Sequence, residues 1–261
     1  MSKPRNYQTE AIIIKKTKLG EADRILTLYT PHLGKIQGVA KGVRRPRSKM
    51  AGHLELLTHS QVSLARGRNL DTITGSQTIN SFLPLKTDLW LSACALYVTE
   101  LVNQFTPDHA ENRPLFDLLL ETMHLLCQTD GNELILRYFE LHLLNAVGYR
   151  PELRHCVSCR EPLEATTNSF SPGVGGMLCP GCRPHQPLSY PASVNALKVL
   201  RLLQGDDYTT VIRLKINRGL SGEVLGLTRQ YLRHLLEREL KSAAWLDTLR
   251  AQMSSDHSPL L

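Results

Sequence analysis

Four cysteines stand in two pairs, CVSC at 156–159 and CPGC at 179–182, with nineteen residues between them. Two Cys-x2-Cys knuckles at this spacing bring four thiolates to the corners of a tetrahedron, the arrangement zinc prefers. Pro180 and Gly181 supply the tight turn of the second knuckle. Disulfides are the competing reading, but a cytosolic chain keeps its thiols reduced. The expected ligands are therefore Cys156, Cys159, Cys179 and Cys182, and the expected ion is Zn2+. Four thiolates leave no open position for a substrate, so the metal is structural. It staples a Pro- and Gly-rich segment, 153–187, that could not bury a core of its own. His155 and His185 adjoin the knuckles and are read as bystanders. Cys94 and Cys127 fall on apolar helix faces and are read as core.

The second chemical feature is KGVRRPRSK, residues 41–49, with five fixed positive charges and no acid. Lys41, Arg44, Arg45, Arg47 and Lys49 repel one another unless a polyanion neutralises them. Arginine grips phosphates bidentately and lysine adds a point charge. If all five contact a single strand, log K falls with log[salt] at a slope of about −3.5, from about −0.7 per contact. Arg24 and Lys35, on neighbouring strands, extend the patch. The aromatic residues available to stack on bases in this region are Tyr7, Tyr29 and Phe82. Binding dominated by charge, tolerant of base sequence and open to double strands is therefore expected. A solvated basic loop is the bland alternative.

Charge is divided along the chain. Residues 1–50 hold 12 Lys and Arg against 3 Asp and Glu, whereas residues 88–152 hold 3 against 10. With a formal net charge of +7, one end suits a polyanion. No apolar run is long enough to span a bilayer, no amphipathic basic helix suggests a membrane surface, and MSKPRNYQTEAIII lacks the pattern of a signal peptide. A cytoplasmic protein is expected. Enzymatic motifs are missing: no G-x-x-x-x-G-K-[ST], no G-x-S-x-G and no H-E-x-x-H. Nucleobase deaminases pair H-x-E with P-C-x-x-C. HLE at 53–55 is present, but His53 and Glu55 are expected to open a strand, and neither knuckle has proline before its first cysteine. Asp206 and Asp207 read as a loop turn rather than a two-metal site. A binding protein, not an enzyme, is expected.

These residues need elements to hold them. TEAIIIKKTKL (9–19), RILTLYT (24–30), KIQGVAK (35–41), HLELLTHSQVSLA (53–65) and LDTITGSQTI (70–79) read as five strands. With no helix long enough for a crossover among them, they make a small closed barrel, of the oligonucleotide-binding or the SH3-like type. Helical spacing takes over at Asp88, with helices over 89–105, 114–127 and 133–147 and a last long helix from about Glu223 to Leu249. The expected organisation is a barrel at 1–82, a helical domain at 83–152 and 188–252, the zinc element at 153–187 inserted within it, and a flexible tail at 253–261.

AKGVRRPRSK, YVTEL (97–101), VGYRPEL with the first knuckle (147–159), FSPGVGGMLCPGC (170–182) and RQYLRHLLERELKS (229–242) together resemble the bacterial RecO family of DNA repair proteins. The resemblance covers nearly the whole chain. It implies a multidomain α+β protein with an oligonucleotide-binding barrel, a helical domain and an inserted four-cysteine zinc element. It also implies binding of single- and double-stranded DNA and annealing of complementary strands. RecR, at times alongside RecF, is the implied partner in loading RecA onto DNA coated by single-stranded DNA-binding protein. The basic loop and the four cysteines are the positions that carry over. Arg160 departs from the family, which often has glycine after the second cysteine. The family's site for the acidic tail of single-stranded DNA-binding protein lies on the helical domain. An acidic peptide there needs a local basic, apolar groove, for example around Arg113 or Arg137, which the acidic stretch 88–152 does not show, so no residues are assigned to that contact. A zinc-containing RNA-binding or ribosome-associated factor is the alternative, since phosphate contacts do not distinguish the two nucleic acids. A zinc-ribbon regulator acting through protein contacts is a third reading.

Overall fold

The structure, a computed structural model, describes residues 5–129, 132–205 and 208–255. Asp206 and Asp207 therefore lie outside the described residues. The chain divides into two compact units, 1–130 with 245–261, and 131–244.

In the first unit, β1 (Asn6–Leu19), β2 (Asp23–Thr30), β3 (Gly34–Ala40), β4 (His59–Ala65) and β5 (Asp71–Asn80) close a barrel in the order β1-β2-β3-β5-β4. All pairs are antiparallel except β3 with β5, where Gly38 and Val39 face Asp71 and Thr72 in parallel. This five-stranded order is of the oligonucleotide-binding type and decides between the two barrels open from sequence. Alternation along the strands fills the interior with Ala11, Ile13, Leu26, Leu28, Ile36, Val62, Leu64 and Ile73. The unbroken run Ala11–Ile14 is buried on both faces, because α2 (Leu89–Phe105) packs against β1 from outside.

α2 starts at Asp88, whose carboxylate accepts from the Leu91 N–H, and α3 (Arg113–Gln128) starts at Asn112, which accepts from the Leu115 N–H. α1 (Pro84–Thr87) is a single turn before α2. α3 lays Phe116 on the outer face of β2, its ring 6.4 Å from that of Tyr29. One end of the β2–β3 surface is thus roofed by helix, and the other is not.

Two strand expectations are corrected. Residues 53–58 are not strand: Gly52–Leu54 is a 3-10 turn and β4 begins at His59. Leu54 and Leu57 are buried there, so HLELL is an apolar plug rather than one alternating strand face. Lys41 lies outside β3, which stops at Ala40.

The second unit holds α4 (Glu133–Ala146), a sheet ordered β7-β6-β8 from β6 (Asn168–Ser171), β7 (Gly176–Leu178) and β8 (Tyr190–Ala192), then α5 (Val194–Gly205), α6 (Tyr208–Arg213) and α7 (Arg218–Leu236). α4 is buried on nearly all sides and packs against α5, α6 and α7. Its Arg137 forms an ion pair with Glu140, at side-chain exposures of 5% and 1%. Removing either partner would leave the other charge buried. The single last helix expected from sequence is two: α7 ends at Glu237, in the left-handed region at φ 53°, and α8 runs from Lys241 to Ser255. Glu237, Arg238 and Glu239 are all exposed, so no packing face holds them helical. The tail expected from 253 is helical as far as Ser255, and its remainder lies outside the described residues. Among the described residues no helix is long and apolar enough to cross a membrane.

Candidate nucleic-acid interface and metal centre

The basic run follows β3 as a chain of tight turns. Val43 is buried in the barrel core and anchors it. The Gly42 N–H donates to Asp23 Oδ1 (2.7 Å), and the Arg44 N–H donates to the Ala22 carbonyl (3.0 Å). Turn bonds from Arg45 N to Gly42 O and from Ser48 N to Arg45 O continue it. The segment is therefore moored to the β1–β2 turn. Lys41, Arg44, Arg45, Arg47 and Lys49 all remain exposed. Arg44 makes one long hydrogen bond, 3.3 Å, to the Gly20 carbonyl. Among the described residues none of the five has a carboxylate in ion-pair range, so their field is uncompensated locally.

Arg24 lies at the unroofed end of the β2–β3 surface, between Lys18 on β1 and Ala40 on β3. Lys35 is opposite Tyr29 on the outer face, at the roofed end, whereas Arg24 falls in the alternate set with Leu26, Leu28 and Ala40 at the end of the strand pair. Its ammonium donates to the carbonyls of Asn103 (2.8 Å) and Thr106 (2.7 Å) and lies 3.4 Å from Asp108, with 12% of its side chain exposed. Sequence reasoning treated Arg24 and Lys35 alike; the register separates them. It also passed over Lys18, exposed opposite Arg24, and the exposed Arg66 and Arg68 of the β4–β5 turn. The available signal was RGRN itself, basic residues in a hairpin turn.

The cysteines converge in the second unit, their sulfurs all within 4.8 Å of one another. The Sγ atoms of Cys159 and Cys179 are 3.9 Å apart. A tetrahedral zinc with bonds of about 2.3 Å needs sulfurs about 3.8 Å apart. The donor set thus fits a metal ion, and among the described residues it contains no histidine. In the first knuckle the Cys156 N–H donates to Glu161 O (2.8 Å) and the Arg160 N–H to Cys156 O (2.9 Å). In the second, the N–H groups of Cys182 and Arg183 both donate to Cys179 O. Burial pushes the Cys156 thiol up, but N–H groups of Cys159, Cys179 and Ser158 outweigh it and bring the thiol to about 6. Ser158 lowers the Cys182 thiol, yet the neighbouring sulfurs hold it at about 11. Thiolates this close repel, and a dication resolves the conflict.

Two backbone positions shape this cluster. Arg160 has φ 67°, which explains why glycine suits the position after the second cysteine. Arg160→Gly is expected to stabilise the metal-loaded protein by about 0.5–1 kcal/mol, the left-handed strain relieved less the entropy of glycine. A thermal melt with unchanged metal content checks this. At Gly176 a Cβ would lie 2.6 Å from Val157 Cγ1 and 2.7 Å from the Glu152 carbonyl. Gly176→Ala is expected to cost about 3 kcal/mol by overpacking, measured by denaturant unfolding.

The deaminase constellation is not assembled. His53 Nδ1 is 2.9 Å from Thr78 Oγ1, and Glu55 pairs with Lys16 at 2.5 Å, both within the barrel. Arg137 is engaged with Glu140, and Arg113 with Asp117 (3.5 Å) and His32 (3.2 Å).

A barrel of the oligonucleotide-binding type followed by helices and a tetracysteine cluster able to hold a metal ion is an architecture suited to handling nucleic-acid chains. The family models described as Recombination protein O N terminal and Recombination protein O C terminal match residues 1–82 and 86–244. A relative from Dehalococcoides mccartyi is 53% identical over 249 residues, covering 95% of this chain and 98% of its own length. One from a Roseiflexus species is 45% identical over 255 residues, covering 98% and 89%. Both carry the name DNA repair protein RecO. The chain belongs to the RecO family of DNA repair proteins.

Proposed function

We propose that this chain is a non-enzymatic recombination mediator of the cytoplasm and nucleoid. It binds single- and double-stranded DNA on the barrel and anneals complementary strands coated with single-stranded DNA-binding protein. With RecR, and at times RecF, it helps load RecA. The observation that carries the reading is the moored run 41–49, whose five exposed cations have no carboxylate in range among the described residues. Lys41, Arg44, Arg45, Arg47 and Lys49 hold phosphates, and Arg24 continues the track across β2. Lys35 acts instead as a strut, because its ammonium already has three acceptors. The ion at Cys156, Cys159, Cys179 and Cys182 is a structural zinc, which supplies cross-linking and no chemistry.

The test is annealing of two complementary oligonucleotides coated with the cognate single-stranded DNA-binding protein, without ATP. Annealing by the zinc-loaded protein is expected. Failure to anneal, with tighter binding to RNA than to DNA, would overturn the reading in favour of an RNA-binding factor.

A further inference from the structure

Of the three aromatic residues in the barrel segment, burial removes two from any ligand: Tyr29 is fully enclosed and Phe82 is 2% exposed. Tyr7 remains, half-buried near the start of β1. It packs against the barrel core, and the guanidinium carbon of the exposed Arg66 lies 4.8 Å from its ring centroid. The pair is held in place. Tyr7 Oη donates to Asp71 Oδ2 (2.5 Å), while Asp71 Oδ1 accepts from the Gly67 N–H (3.0 Å). One carboxylate therefore ties the ring to the β4–β5 turn. That turn is tight enough that a Cβ at Gly67 would sit 1.9 Å from the Leu70 carbonyl oxygen. The Arg66 N–H donates to Arg5 O at 2.8 Å and fixes its other side.

The pair also lies in a useful place. β5 begins beside Gly38 and Val39 of β3, and the basic run opens at Lys41, about 10 Å further along the strand at about 3.3 Å per residue. Ala40, opposite Arg24, lies between the two. In barrels of this type the β1–β2 and β4–β5 turns bracket the β2–β3 surface on which nucleic-acid chains lie. Here the 41–49 run is moored to the first turn and the Tyr7–Arg66 pair to the second.

We propose that Tyr7 and Arg66 form a stacking platform for one unpaired base, and that this platform gives the barrel a preference for single strands over duplex. This rests on the reading of the barrel as a DNA-binding surface. A guanidinium plane laid on an aromatic ring presents a flat cationic face on which a base stacks. Phosphates meet the basic run in either form of DNA, but bases in a duplex are already stacked on their neighbours and gain nothing from the platform. Pre-positioning by Asp71 means that the Tyr7 ring does not have to be ordered on binding.

The test compares the wild type with Arg66→Lys, which keeps the charge and loses the plane. Fluorescence anisotropy measures binding to a single-stranded oligonucleotide and to a duplex of the same length over a salt series. Arg66→Lys is expected to weaken single-strand binding about tenfold and duplex binding less than about twofold, with an unchanged salt slope. A single-stranded probe carrying 2-aminopurine should be quenched by the wild type and not by the variant. Equal weakening of both DNA forms, or of neither, overturns the platform. If the wild type binds neither form, the DNA-binding reading fails and takes the platform with it. If the wild type binds both and the variant keeps the same ratio, the platform alone fails.

Discussion

Replacing Arg44, Arg45 and Arg47 together with glutamate is expected to lower affinity for a single-stranded oligonucleotide by at least about a hundredfold near physiological salt, roughly 1 kcal/mol for each phosphate no longer held. The salt slope should become shallower by about 2, since each phosphate neutralised on a single strand contributes about 0.7. The fold should survive, because the mooring of this segment is done by backbone and by Val43. Asp23 holds the Gly42 N–H, Ala22 accepts from the Arg44 N–H, and Val43 is 7% exposed. The three side chains are exposed, and among the described residues the hydrogen bond they make is Arg44 to the Gly20 carbonyl, at a marginal 3.3 Å. Annealing should disappear with binding. Native circular dichroism with unchanged affinity would show that the run is a solvated loop and that the DNA track lies elsewhere.

Cys159→Ser is expected to abolish metal retention and to melt the 153–187 segment. A structural zinc site of this kind is worth about 10–16 kcal/mol of apparent binding free energy in isolated peptides, so the loss of one thiolate removes more than this segment can replace. Apart from the cluster the segment is held by strands of three and four residues, by two backbone hydrogen bonds in each knuckle, and by the buried Leu153, Phe170, Met177 and Leu178. Metal analysis should fall from about one ion per chain to near zero, with rapid proteolysis between 153 and 187. Chelation of the wild type should reproduce both effects. Cys127→Ser is the matched control, because Cys127 lies on α3 and is no part of the cluster. Wild-type protein isolated with less than about half an equivalent of metal, yet fully stable, would refute a structural zinc.

Both results concern features that were legible as spacing. Cys-x2-Cys pairs are local, and a tetrahedron of thiolates follows once the intervening chain can fold back. The basic run was legible because five like charges in nine positions have few uses. The barrel could be read from alternation, and α2 and α3 from their periodicity and from Asp88 and Asn112 as caps. What could not be read depended on partners distant in sequence. HLELL alternates well enough to pass for strand, yet it plugs the barrel because Ile13 supplies its backbone partners through Leu57 and Thr58. The last helix breaks at Glu237, where local propensity is good and only the missing packing face tells against it.

The sequence alone therefore determined the four-cysteine cluster, the basic segment, the order of barrel and helices, and the family, because each is written in residue type and short-range spacing. Tertiary structure decided which cations face outward. Arg24 and Lys35 are both basic residues on neighbouring strands, but the β2–β3 register puts Arg24 in phase with the core residues at a strand end and Lys35 on the outer face under a roof of helix, where backbone carbonyls claim its ammonium. It likewise decided that Tyr7, rather than Tyr29 or Phe82, can meet a ligand, and that Arg66 lies upon it. Exposure and cross-strand neighbours are properties of the closed barrel, and nothing in the linear order of residues contains them.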